Sequence, residues 1–251
     1  MLDMFKCSES EIKERESKLK DEGGNFIKTG TEWDKLCKGL YRGGLSIIGS
    51  FSGRGKTSWL IDTSRSIAKQ GYKVLFITVE ESIESIFKCW SSFYEGKIIV
   101  VTITEMKDWK DIEKLIDEEK IDVVLYDYIG AIREGLGGVM REDQILSEDA
   151  RRLANLALDK KVAILSAIQT KEDAERDYVQ NQAKKNNLFR LSSNYICSAS
   201  YVYQSCCQFV FMLLIGNDLR LIRSKARYVD PKKMDSEVNL KKNAGQMRYD
   251  D

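Results

Sequence analysis

The chain has 251 residues, of which 43% are hydrophobic and 31% charged, a composition with enough apolar material for a globular core. Lys and Arg number 40 against 39 Asp and Glu, so the net charge is +1 and nucleic-acid binding would need a local basic surface. The absence of histidine excludes a His-containing zinc site and removes the commonest general base.

The six cysteines (Cys7, Cys37, Cys89, Cys197, Cys206 and Cys207) form no C-x-x-C and read as reduced thiols. There is no uninterrupted apolar window of about 18 residues. The opening MLDMFKCSESEIKERESK has no apolar signal core. Neither a membrane span nor export is expected.

Residues 8–22 are charge-rich and predict a solvated helix ended by Gly23-Gly24. LSIIGS (45–50) is a short strand, and 56–70 are helical, stopped by Gly71. KVLFITVE (73–80) and KIIVVTI (97–103) read as buried strands. DWKDIEKLIDEEK (108–120) puts Trp109, Ile112, Leu115 and Ile116 on one helical face. IDVVLYDYI (121–129) is a strand, followed by the glycine-containing loop REGLGGVMRED. A helix follows with Ile145, Ala150, Leu153, Ala154 and Ala157 inward, then the strand VAILSAIQ (162–169) and a polar loop, TKEDAERDYVQNQAKKNNLFR. CQFVFMLLIG and LRLIRSKARY form a hairpin turning at Gly216-Asn217-Asp218.

Strands that are apolar throughout, separated by helices, mean a mainly parallel, twisted α/β sheet with helices on both faces, here with a C-terminal β-hairpin. The expected division is a charged N-terminal helix or linker (1–25), one α/β domain (26–230) and a polar tail (231–251). Ligands of such sheets bind beyond the carboxyl ends of the strands, so chemistry is sought there.

At the first strand end stands IIGSFSGRGKTSWL (47–60). It matches the phosphate-loop pattern G-x-x-x-x-G-K-[ST] except that Ser50 takes the first glycine's place. The strand before it and the helix after it are the context that motif needs. The candidate phosphate-binding residues are Ser50, Ser52, Gly53, Arg54, Gly55, Lys56, Thr57 and Ser58. Lys56 would reach the β- and γ-phosphates, and the Thr57 hydroxyl would bind Mg²⁺. Arg54 would touch phosphate or point to solvent.

Asp127 ends VVLYD and suits an acid that holds Mg²⁺ through water. Asp122 precedes the apolar run, at the wrong sheet edge. Glu80 ends its strand near the γ-phosphate position and would activate the attacking water. Glu81 is its rival, since alternation lets only one of the two face the nucleotide. Gln169 ends another strand and reads either as a γ-phosphate sensor or as a capping amide. Lys225 and Arg227 fall on one strand face, either as a solvated edge or as cations that serve another subunit's nucleotide.

Taken together, these segments resemble the RecA-like P-loop NTPase motor of DnaB-type hexameric replicative DNA helicases, from about Thr29 to Tyr228. TGTEWDKLCKGLYRGGLSIIGS is similar to the family's opening T-G-x-x-x-L-D-x-x-x-x-G-L-x-x-G-x-L. SFSGRGKT resembles a phosphate loop whose first position is often alanine. FITVEES resembles F-S-L-E-M, VVLYDYIGAI resembles V-I-D-Y-L-Q-L, and IRSKARY resembles the K-x-R segment that enters the adjacent subunit's ATP site. The resemblance implies that Glu80 is the catalytic glutamate, Arg227 the arginine finger and Lys225 its partner. Thr170-Lys171 replaces the family's asparagine or arginine, and no glycine follows shortly after Arg227. Family members usually carry an N-terminal primase or collar domain, which this sequence is not expected to contain.

The resemblance further implies ATP and Mg²⁺ as cofactors, single-stranded DNA as partner, a homo-oligomer (a hexameric ring), and a separate primase or helicase loader. The location it implies is a bacterial or phage-infected host cytoplasm. DNA would meet loops after the Asp127 and Gln169 strands, with Arg133, Arg141, Lys171, Lys184, Lys185 and Arg190 as candidate phosphate contacts against the bland reading of a solvated polar loop. The expected function is a DNA-stimulated ATPase that translocates on single strands during replication. The alternatives are a RecA-type recombinase or mediator, and a regulatory ATPase that partners replication proteins.

Overall fold

The computed structural model describes residues 25–79, 86, 97–102, 108–129, 142–184 and 200–240. The helix expected over 8–22, both Glu80 and Glu81, and most of REGLGGVMRED lie outside the described residues.

A small antiparallel ribbon not expected from the sequence comes first. β1 (Phe26–Ile27) pairs with β2 (Leu40–Tyr41), with the short helix α1 (Trp33–Cys37) between them. Asp34 organises the turn ahead of α1. Its carboxylate accepts hydrogen bonds from the Thr29 N–H and hydroxyl and from the Gly30 N–H, each at 3.0 Å. Gly30 has φ +66 and lies so close to the next helix that an added Cβ would sit 2.0 Å from Ser66 Oγ. Only glycine satisfies both constraints.

The main sheet is built from β3 (Leu45–Ser50), β4 (Val74–Thr78), β5 (Ile98–Thr102), β6 (Val123–Asp127), β7 (Ala163–Gln169), β8 (Gln208–Ile215), β9 (Asp218–Ala226) and β10 (Glu237–Leu240). Between them run α2 (Lys56–Lys69), α3 (Trp109–Glu119), α4 (Glu142–Lys160), α5 (Asp173–Ala183) and α6 (Ser200–Ser205). The eight strands lie in the order β10-β9-β8-β3-β7-β6-β4-β5. Pairing is parallel from β8 through β5 and antiparallel for the two outer strands.

The central apolar strands have two buried faces, whereas β5, expected as a buried strand, lies at the sheet's edge and is only partly buried along its length. Leu45 and Ile47 enter a core with Trp109, Ile112, Ile116, Leu153 and Ala157. Ile48 enters the opposite core, with Trp33, Leu36, Trp59, Leu60 and Ile67. Burial of each such side chain is worth roughly 1.5–3 kcal/mol. A one-residue slip would exchange the two sets, so register is strongly specified.

Helix α3 starts where expected, in a capping box: the Asp108 carboxylate accepts from the N–H of Lys110 and Asp111, and the Asp111 carboxylate accepts from the Asp108 N–H. Trp109, Ile112 and Ile116 are buried, and Leu115 is half-buried. In α4 the inward set differs from the expected one. Leu146, Ala150, Leu153, Leu156 and Ala157 are buried, whereas Ile145 and Ala154 are only partly so. The spacing 146, 150, 153, 157 keeps one face of a 3.6-residue period, and Ile145 falls off it.

Two segments correct the sequence reading. The polar run expected as a loop contains α5, anchored by buried Ala174 and Tyr178. The segment expected as a polar tail begins with a 3₁₀ turn (Pro231–Lys233) and then adds β10, whose Leu240 is buried. No helix among the described residues is long and apolar enough to cross a membrane.

Candidate nucleotide-binding site

Parallel register brings four strand ends to one sheet edge. Ser50 of β3 pairs with Gln169 of β7, and Thr78 of β4 pairs with Asp127 of β6. Above them opens a cleft of about 210 Å³ lined by Ser52, Gly53, Gly55, Lys56, Thr57, Asp127, Tyr128 and Gln169. The phosphate-loop residues, the strand-end aspartate and the strand-end glutamine therefore share one cavity. Tyr128 is a lining residue that sequence reasoning missed, although its place next to Asp127 marked it. The Val79 N–H donates to the Asp127 carbonyl at 2.9 Å, so the residue that follows β4 is still held to the end of β6.

The loop 51–55 turns into α2 at Gly55, whose φ of +88 belongs to glycine. Lys56 Nζ donates to the carbonyls of Ser50 (3.1 Å) and Phe51 (3.3 Å), which holds the ammonium over the loop. Ser50 is fully buried and its hydroxyl donates to the Phe51 carbonyl at 2.9 Å. Its φ is not positive, so its backbone does not require glycine there. The Thr57 hydroxyl and the Asp127 carboxylate are oxygen donors lining one cleft. An oxygen pair that leaves other positions to phosphate and water is a donor set that fits Mg²⁺. Ser58, on the first turn of α2, is partly exposed and is not among the lining residues.

Arg54 is not among the residues that line the cleft. Its Nε donates to Glu175 Oε1 at 2.9 Å and a terminal nitrogen donates to Oε2 at 2.7 Å. These bonds raise the guanidinium's pKa further. Glu175 lies 121 positions along the chain, on α5, and nothing local in the sequence links the two.

Asp122 sits at the opposite edge of the sheet, held by Arg42 at 2.9 Å and by the Lys73 N–H at 3.0 Å, a structural role. Lys225 and Arg227 also lie away from the cleft. Lys225 pairs with Phe209 of β8, which pairs with Ile47, three residues before Ser50. Two strand spacings and three residues of rise separate the Lys225 and Ser50 backbones by roughly 14 Å. β9 ends at Ala226, so Arg227 stands just past the strand rather than on it. Both cations reach α6 instead. Lys225 donates to the Tyr203 carbonyl and, at 3.2 Å, to that of Gln204, which Arg227 also approaches at 3.2 Å. Burial pushes the Lys225 ammonium's pKa down.

Of the candidate DNA contacts, Lys171 and Lys184 are exposed and flank α5 at its two ends. Arg133, Arg141, Lys185 and Arg190 lie outside the described residues. Between the two lysines α5 is mixed in charge, with Arg176 paired to Asp173 and Asp177. Cys37, Cys206 and Cys207 are buried free thiols. Burial raises all three pKa values, that of Cys206 to about 12 and that of Cys207 to about 11. No group of three or more His, Cys, Asp or Glu among the described residues is placed to hold a metal by itself.

No family model matches the chain. A 52-residue stretch is 40% identical to DNA repair protein RadA from Chlamydia pneumoniae, covering 20% of this chain and 12% of that protein's length. The structure is similar to a solved structure of an ATPase domain, with a TM-score of 0.71 and 14% identity over 96% of this chain and 98% of that one. At that identity the match shows architecture, and the architecture of this chain is the RecA-like α/β fold.

Proposed function

We propose that the chain is an ATP-hydrolysing motor of the DnaB helicase type, working as a ring on single-stranded DNA. The observation that carries this reading is the single cleft shared by Lys56, Thr57, Asp127 and Gln169. Phosphoryl transfer needs positioning and charge stabilisation more than covalent chemistry. Lys56 stabilises the β- and γ-phosphate oxygens. Thr57 and Asp127 would hold Mg²⁺, which would neutralise phosphate charge. Gln169 reads the γ-phosphate from the end of β7. Glu80, two residues past the end of β4, orients the attacking water and takes its proton. Arg227 with Lys225 serves the nucleotide of an adjacent copy, because neither reaches the cleft of its own chain. The exposed Lys171 and Lys184 make sequence-independent phosphate contacts with DNA.

The test is ATP turnover with and without single-stranded DNA, together with native mass. Stimulated turnover by a multimer is expected. Turnover that ignores DNA would favour a regulatory ATPase. The RadA similarity supports a second reading, a recombination or repair ATPase. Filaments rather than closed rings on single-stranded DNA, seen by electron microscopy, would select it.

A further inference from the structure

We infer that Glu175 is a positioning residue for the phosphate loop, acting through Arg54. The inference rests on the nucleotide-binding reading above. Arg54 precedes Gly55-Lys56 directly, and its guanidinium is gripped in two-pronged fashion by Glu175 on the first turn of α5. Glu175 Oε1 also accepts the Leu214 N–H at 3.1 Å, near the carboxyl end of β8. The pair is largely shielded, with the Arg54 and Glu175 side chains 27% and 12% exposed. One carboxylate thus joins the phosphate loop, the helix that follows the Gln169 strand, and a third strand end.

The physical need is clear from the loop itself. Residues 51–55 carry no helix or strand pairing, and they must hold their N–H groups convergent to accept phosphate. A loop that samples other shapes binds more weakly in proportion to the time it spends in them. The planar guanidinium fork fixes direction as well as distance, so it pins the loop through a residue that does not itself line the cleft. Arg54 also lies over the Phe51 ring, 5.7 Å from its centre, which folds the loop's first residue onto the same anchor.

Full-length chains of the wild type, Glu175→Gln, Glu175→Asp, Arg54→Lys and the Glu175→Gln/Arg54→Lys double variant are titrated with a fluorescent ADP analogue. Lys56→Ala serves as the control, and the thermal midpoint of each protein is read without nucleotide. Glu175→Gln and Arg54→Lys should each raise Kd about tenfold, since each opens the loop's ensemble. The double variant should add little, because both changes remove one shared bond. Glu175→Asp keeps the charge with a shorter reach and should fall between. Turnover of Glu175→Gln and Glu175→Asp at saturating ATP should stay within about twofold of the wild type, because saturation refills the competent loop shape.

A lowered thermal midpoint with unchanged Kd would make Glu175 merely structural and overturn the inference. Tighter binding by Glu175→Gln would also overturn it, since Glu175 would then be competing with phosphate for Arg54. A wild type that binds the analogue no better than Lys56→Ala would refute the nucleotide reading itself, and the inference with it.

Discussion

Mixing two inactive variants tests the shared-site model directly. On the proposed reading, Lys56→Ala removes the phosphate lysine from a chain's own cleft, and Arg227→Ala removes the cation offered to a neighbour. The register places the backbone at Lys225 roughly 14 Å from the phosphate-loop end of β3, with both cations turned toward α6. Neither cation can serve its own cleft, so each variant alone should lose turnover, by about 10³-fold or more for the arginine. In a mixed assembly, an interface works when an Arg227→Ala chain supplies the cleft and a Lys56→Ala chain supplies the arginine. One-to-one random mixing makes about one interface in four competent, if heterologous contacts join the chains head to tail. The assay is ATP turnover after co-refolding or subunit exchange, with assembly checked by native mass. About a quarter of wild-type turnover is expected from two inactive parents. Assembled mixtures that stay inactive, or an Arg227→Ala protein that turns over normally, would refute the reasoning.

Other consequences follow from particular contacts. Asp127→Asn should keep nucleotide binding but lose its Mg²⁺ dependence and cut turnover by about 10²-fold or more, read by titrating Mg²⁺ into both proteins. Asp34→Ala removes the acceptor for the Thr29 N–H, the Thr29 hydroxyl and the Gly30 N–H. It should cost about 2–3 kcal/mol, measured as a shift of the urea midpoint at unchanged slope. Stability should fall as pH rises above 9. Unfolded thiols ionise near 9.0, whereas folded Cys207 and Cys206 hold their protons up to about 11 and about 12. The stabilising difference is therefore complete below pH 9 and lost on the way to 12. Cys206→Ala should flatten that decline in a series of melts across the range, and an equal decline in the variant would argue against a thiol origin.

The strands, their two-sided burial and the P-loop context were legible in the sequence because each is a local pattern. A buried parallel strand is apolar residue by residue, a helix repeats at 3.6, and a phosphate loop sits between one strand and one helix. The same locality located Asp127, Gln169, Lys56 and Thr57 at strand or helix ends, and the fold then set them around one cleft. Ser50 looked like a flaw in the motif when only the letters were compared. In the fold it is a buried hydroxyl bonded to its neighbour's carbonyl at an ordinary φ.

The remainder depended on partners far apart in the chain. α5 was hidden because its burial rests on Ala174 and Tyr178 amid polar residues, too few for a periodic signal. β10 was hidden because four residues, EVNL, become a strand only beside β9. Arg54 left two readings open, phosphate or solvent, and the structure chose neither: a carboxylate 121 positions away takes the guanidinium. A sequence specifies such a pair only through the fold, since an ion pair has no periodicity, and the crossover of the chain alone sets which charges meet.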